Sequence, residues 1–142
     1  MPDRTRLNLP LVVAGAMTAV MGAYHFFLPM QFGWGADLAG DAMLQWALLS
    51  INAFFSYLLL MGGVITMIMA ASSRPWGPIG VSFLIGMTGF WMFNATYQVL
   101  APMPLPHRLA KLAWVLAGFA IVAAVLYAIS MWRHSNRAKS TS

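Results

Sequence analysis

Eight polar side chains lie within or beside long apolar stretches of this 142-residue chain, and none of the eight is an acid. They are imidazoles, amides, a phenol and a guanidinium, namely His25, Gln45, Asn52, Asn94, Tyr97, Gln98, His107 and Arg108. Such groups must find partners in apolar surroundings, so they mark a candidate ligand-binding site. Their alternative role is structural, because amides join helices by hydrogen bonds and cationic side chains meet lipid headgroups.

Imidazole, amide and phenol groups beside many aromatic residues favour an amphipathic ligand, such as a quinone, a lipid or a pigment. His25, Asn94, Tyr97 and Gln98 would hold the polar head of this ligand, since a few convergent polar groups in an apolar wall are typical of ligand pockets. Its tail would lie among aromatic side chains, namely Phe26, Phe27, Phe54, Phe55, Phe90, Trp91 and Phe93.

A metal or haem site is the second alternative. Thioethers and imidazoles suit Cu(I), and paired imidazoles can ligate haem. The candidate ligands are His25, Met30, Met103 and His107, but they lack the spacing of a metal-binding motif. We therefore predict no definite metal site, and the cofactor stays unknown.

The acidic residues argue against most enzyme classes. The chain has no Glu and no Cys, which excludes thiol catalysis and leaves too few carboxylates for a di-iron site. A Ser–His–Asp triad would need Asp37 or Asp41 to reach a histidine from a loop. We therefore favour a non-catalytic function.

Composition predicts the elements that carry these residues. The chain is 61% hydrophobic and 8% charged, with a mean hydropathy of +0.74, whereas soluble domains carry about 25% charged residues. Four apolar runs, at residues 9–28, 42–71, 79–101 and 109–132, each reach the roughly 20 residues that a spanning helix needs. The predicted fold is an all-α integral membrane four-helix bundle, a single domain over residues 1–142 with short basic tails at 1–8 and 133–142.

The first run could instead be a cleaved signal peptide, since Arg4 and Arg6 precede it. The apolar region of a signal peptide has roughly 7–15 residues. The first run is longer, so we favour an uncleaved helix.

Basic residues predict the orientation. With both termini inside, the cytoplasmic side holds Arg4, Arg6, Arg74, Arg133, Arg137 and Lys139, against Arg108 and Lys111 outside. Lys and Arg accumulate on the cytoplasmic side, so we predict a plasma (inner) membrane protein with cytoplasmic termini. The eight polar residues then lie toward the outer leaflet. Basic residues placed in this way do not indicate nucleic-acid binding.

Two short patterns recur in the same order and predict a duplicated helical hairpin. Tyr24 and Tyr97 each precede a Pro-Met pair by the same spacing, and Leu-x-Trp-x-Leu recurs around Trp46 and Trp114. In length and topology the chain resembles the DoxX-like small membrane proteins. No shared motif carries this resemblance, so it implies nothing about function.

Small residues recur every fourth position on the first run, at Gly15, Ala19 and Ala23, and on the fourth, at Ala120, Ala124 and Ala128. They predict close helix packing within the bundle, with self-association or other membrane subunits as the alternative.

Together these features predict a binding or accessory subunit in the lipid bilayer, with a polar pocket toward the outer leaflet. The alternative is a small membrane oxidoreductase or hydrophobic-ligand carrier that uses a quinone, haem or copper at the same pocket.

Overall fold

The computed structural model describes residues 7–72, 76–102 and 109–140, and within these ranges the chain is helical without a β-strand. The helices are α1 (Leu9–His25), α2 (Leu28–Gln31), α3 (Trp34–Asp37), α4 (Ala42–Ala71), α5 (Pro78–Leu100) and α6 (Ala110–Ser140). The prediction of an all-α chain is confirmed for these residues. Three helices are long and apolar enough to cross a membrane, namely α4, α5 and residues 111–136 of α6, whereas α1 has 17 residues and is shorter.

Side-chain caps and prolines set where the long helices begin. The Asp41 carboxylate accepts a hydrogen bond of 2.9 Å from the Leu44 backbone N–H, which caps α4. The Asn8 side chain accepts from Leu11 N at 3.4 Å and caps α1. Pro78 opens α5, where its missing N–H costs nothing.

The first helix ends three residues earlier than the 9–28 run predicts, because Pro29 removes a helical hydrogen bond from a residue before it. A proline at position 29 has no N–H for the carbonyl of His25, four residues before it. The backbone turns after His25, with Phe27 N–H bonded to Tyr24 O at 2.9 Å, and α2 starts as a separate short helix. The His25 carbonyl is thereby left open to another donor.

The last helix continues beyond the 109–132 run into the segment that was predicted as a basic tail, 133–142. Residues 133–140 extend α6 to Ser140, and the predicted tail residues 1–6, 141 and 142 lie outside the described part of the chain. No glycine or proline follows Trp132, so nothing in the local sequence ends the helix. The helix therefore continues without a break where the residues change from apolar to polar.

Helix packing is closest between α1 and α4. A Cβ atom added to Gly15 would lie 2.9 Å from the Gly63 carbonyl oxygen, and one added to Gly22 would lie 2.8 Å from Leu60 Cα. Glycine at these positions therefore lets the two backbones touch. The predicted small-residue faces pack in part: Ala120 and Ala124 are buried, whereas Ala128 is exposed.

The helices pack in a definite order. Helix α1 lies between α4 and α6, and α5 packs on α6, while α4 and α5 make few contacts. We call the end where α1 and α5 terminate the His25 end, and the opposite end the Asn8 end. At the Asn8 end, Trp76, two residues before α5, donates from Nε1 to the Met69 carbonyl oxygen of α4 at 3.2 Å.

Large apolar side chains cover the outside of these helices. On α4 alone, Phe54, Leu58, Ile65 and Ile68 are exposed. Water-soluble monomers rarely expose apolar patches of this extent. The buried core is small and lies where the helices meet, around Leu11, Leu59, Leu84, Trp91 and Tyr127.

Candidate functional site

A cavity of about 350 Å³ lies among the helices at the His25 end. Its volume is at the lower end of the range of roughly 300–1,000 Å³ that is typical of ligand pockets. The wall is mostly apolar, and its aromatic members are Tyr24, Phe32, Trp34, Phe55, Phe90, Trp91 and Phe119. Four polar side chains also line it, namely His25, Asn52, Asn94 and Gln98.

The His25 ring is held in one orientation. Its Nδ1 lies 2.8 Å from the Met21 carbonyl oxygen, and the ring packs edge-on against Phe55 at a centroid distance of 5.1 Å. A carbonyl only accepts hydrogen bonds, so Nδ1 must carry a proton. In the neutral ring Nε2 is then an acceptor, and no described residue bonds to it.

Asn52 replaces the backbone hydrogen bond that the end of α1 lacks because residue 29 is proline. Its Nδ2 donates to the His25 carbonyl oxygen at 2.8 Å, which identifies the amide nitrogen because a carbonyl cannot donate. This bond ties the end of α1 to α4 and fixes the backbone that carries the imidazole. The Asn52 Oδ1 accepts no hydrogen bond from the described residues.

Asn94 and Gln98 come from α5 and lie one helical turn apart. Both are half-buried and line the cavity, and neither side chain has a hydrogen-bond partner among the described residues. They therefore bring amide groups from α5 to the same cavity that His25 lines from α1. Each amide can both donate and accept.

Below the cavity, a hydrogen-bond network joins four helices. Trp91 lines the cavity with its ring and donates from Nε1 to Thr18 Oγ1 at 3.0 Å. The Tyr127 hydroxyl lies 3.1 Å from Thr18 Oγ1 and 3.0 Å from Thr66 Oγ1. The network therefore fixes the mutual position of α1, α4, α5 and α6 directly beneath the candidate site.

The proton count constrains this network. Thr18 and Thr66 each also lie within hydrogen-bond distance of the carbonyl four residues earlier, at 2.8 and 2.7 Å. The Tyr127 hydroxyl has one proton, so it donates to one threonine and accepts from the other. The threonine that donates to Tyr127 must then share its proton between the Tyr127 oxygen and the carbonyl oxygen of its own helix.

Two of the other predicted site residues, Gln45 and Tyr97, are described and do not line the cavity. Gln45 donates to the Gly35 carbonyl at 3.1 Å and so anchors α3. Tyr97 is 59% exposed and stacks on Phe93. His107 and Arg108 lie outside the described residues.

Of the predicted metal ligands, the structure describes His25 and Met30. Met30 is 81% exposed on α2 and is not part of the cavity wall, and Met103 lies outside the described residues, as does His107. Among the described residues there is no group of three or more His, Cys, Asp or Glu that could hold a metal ion.

Of the seven aromatic residues expected around an apolar tail, three line the cavity, namely Phe55, Phe90 and Trp91. The other four point outward and are exposed, namely Phe26, Phe27, Phe54 and Phe93. The position of a residue along an apolar run does not predict which face of the helix it occupies.

The two recurring sequence patterns place corresponding residues on the cavity wall. Aligning Tyr24 with Tyr97 pairs His25 with Gln98 and Met21 with Asn94. All four line the cavity. Aligning the Leu-x-Trp-x-Leu patterns adds two more lining pairs, namely Leu48 with Leu116 and Ile51 with Phe119.

Tyr127 is the main residue that the sequence analysis missed. It lies within an apolar run, and its threonine partners are 109 and 61 positions away. A tyrosine hydroxyl at mid-helix is the only local signal, since a buried Tyr O–H usually finds a partner.

Comparison of the chain with protein-family models, with curated proteins and with solved structures finds no match. The resemblance to DoxX-like proteins is therefore not supported by a family match, and the site must be interpreted from its own geometry.

Proposed function

We propose that the chain crosses the bilayer four times, as two related hairpins (α1 with α4, and α5 with α6). The support for a crossing by α1 is its alignment with α4. Asn52 of α4 bonds to the His25 carbonyl, and Asn8 N–H bonds to the Ala70 carbonyl at 3.5 Å. The α4 segment between these contacts is about 27 Å long at 1.5 Å per residue, close to the roughly 30 Å of a hydrocarbon core.

The basic residues support an orientation with both termini in the cytoplasm of a plasma-membrane protein. Because the chain has no cysteine, single cysteines can report it. Gly40 and Gly77 are exposed, with open space around them, and they lie at opposite ends. We expect Gly40→Cys to react with a membrane-impermeant maleimide on intact cells and Gly77→Cys to react only after permeabilisation. The reverse pattern, or labelling of both on intact cells, would contradict this topology.

We further propose that the protein is a non-catalytic binding or accessory subunit that holds an amphipathic small molecule in the cavity, toward the outer leaflet. The observation that carries this proposal is the set of polar groups without partners among the described residues, in an otherwise apolar wall: His25 Nε2 and the Asn94 and Gln98 amides. Polar groups at membrane depth need partners. A bound headgroup supplies them, and the aromatic wall accommodates a tail.

The proposal can be tested by native mass spectrometry of protein extracted gently from its own membrane. Leu116 lines the cavity, whereas the preceding residue, Val115, is 63% exposed on the outside of α6. We expect wild type and Val115→Trp to carry a bound amphiphile. Leu116→Trp fills the cavity and should weaken binding by about tenfold or more, at least about 1.4 kcal/mol, which lowers the occupied fraction.

Equal occupancy in the three proteins, or none in any of them after incubation with membrane lipid extract, would refute the binding proposal. A Soret band or stoichiometric copper in the purified protein would instead favour the oxidoreductase alternative.

A further inference from the structure

We infer that the occupant of the cavity is a neutral amphiphile whose hydroxyl group donates a hydrogen bond to His25 Nε2. This inference rests on the proposed binding function and specifies the headgroup. It follows from the charge of the cavity wall, from the fixed His25 ring and from the arrangement of the amides on α5.

The charge of the wall selects against ionic headgroups. None of the residues lining the described cavity is Lys, Arg, Asp or Glu. A phosphate, a carboxylate or an ammonium group would enter without an opposite charge, and burying an unpaired charge in low-dielectric surroundings is costly. Uncharged hydrogen-bonding headgroups do not incur this cost.

The His25 ring then distinguishes among neutral headgroups. Its Nδ1–H is committed to the Met21 carbonyl, so the neutral ring offers only the Nε2 lone pair to the cavity. An ester, an ether or a ketone can only accept, and would leave Nε2 unsatisfied. A hydroxyl group can donate to it.

The amides of α5 supply donors for the oxygen of the same hydroxyl. Asn94 and Gln98 line the cavity together with His25, and an NH₂ group can donate to a hydroxyl oxygen. One alcohol or phenol oxygen would thus donate to α1 and accept from α5, which bridges the two hairpins. This arrangement gives a hydroxyl both of its bonding roles.

The test compares matched ligands on the full-length protein in phosphatidylcholine nanodiscs. The probes are farnesol and hexadecanol, their methyl ethers, and the corresponding carboxylic acids and amines. We expect each alcohol to bind about tenfold more tightly than its ether, since the ether lacks the donor. The acids and amines should also bind more weakly than the alcohols.

Variants of His25 identify the acceptor. His25→Phe keeps a ring of similar size but removes the acceptor, so the preference for each alcohol over its ether should disappear. His25→Gln restores an acceptor and should recover part of the preference.

Two further results separate this inference from the proposed function. Ethers that bind wild type as tightly as the alcohols would overturn the inference and leave the binding function standing. Failure of all these probes to bind, together with no co-purified amphiphile, would overturn both.

Discussion

Replacing Trp91 with alanine is expected to lower the free energy of unfolding by roughly 3 kcal/mol, because the side chain fills the centre of the small core. Trp91 is 2% exposed, and its ring packs against Phe90 and Phe119 at centroid distances of 5.3 and 5.6 Å. In a bilayer, the transfer of the side chain from water contributes little, because lipid tails are themselves apolar. The cavity left behind and the lost bond to Thr18 account for the cost.

Trp114 provides the matched control for this substitution. It is 75% exposed on the outside of α6, so Trp114→Ala should change stability by less than about 0.5 kcal/mol. Denaturant titration in bicelles, followed by circular dichroism, measures both variants. Equal destabilisation by the two substitutions would show that Trp91 is not part of a packed core.

The second large effect is expected at Asn52, where Asn52→Leu should cost about 1–2 kcal/mol. Leucine keeps a similar volume but cannot donate to the His25 carbonyl, which Asn52 bonds at 2.8 Å. That carbonyl lacks a helical partner because residue 29 is proline. In a Pro29→Ala background, residue 29 gains an N–H, and the cost of Asn52→Leu should fall by at least half.

A double-mutant cycle on Pro29 and Asn52 measures this coupling directly. Asn94→Leu is the control, since the Asn94 side chain has no hydrogen bond within the described residues. It should leave stability nearly unchanged while it weakens ligand binding. Additive effects at positions 29 and 52 would show that Asn52 does not replace the missing helical bond.

The sequence predicts the helices well where a local signal exists. The run at residues 42–71 coincides with α4 because Asp41 caps its start. The apolar run at residues 9–28 predicts the end of α1 too late, because Pro29 provides no N–H for the carbonyl four residues before it. The run at residues 109–132 also misplaces the end of α6, because a change from apolar to polar residues does not by itself end a helix.

The candidate site is predictable in part, for a similar reason. The positions of four residues along their apolar runs predict that they lie at one end of the bundle, namely His25, Asn52, Asn94 and Gln98. The structure brings all four to one cavity. Position along a run does not predict the face of the helix on which a residue lies. The sequence therefore groups Tyr97 with these four residues, although Tyr97 is exposed. The network around Tyr127 depends on contacts between α1, α4 and α6, which no local pattern encodes.

Photo-crosslinking in intact cells tests most directly whether the cavity holds a specific amphiphile in the membrane. A diazirine amino acid of leucine size is placed at position 116, inside the cavity, or at position 115, where Val115 is exposed. We expect position 116 to yield one dominant neutral adduct, and position 115 to yield the mixture of bulk membrane lipids. The same bulk mixture at both positions, or only water adducts at position 116, would contradict a specific bound amphiphile.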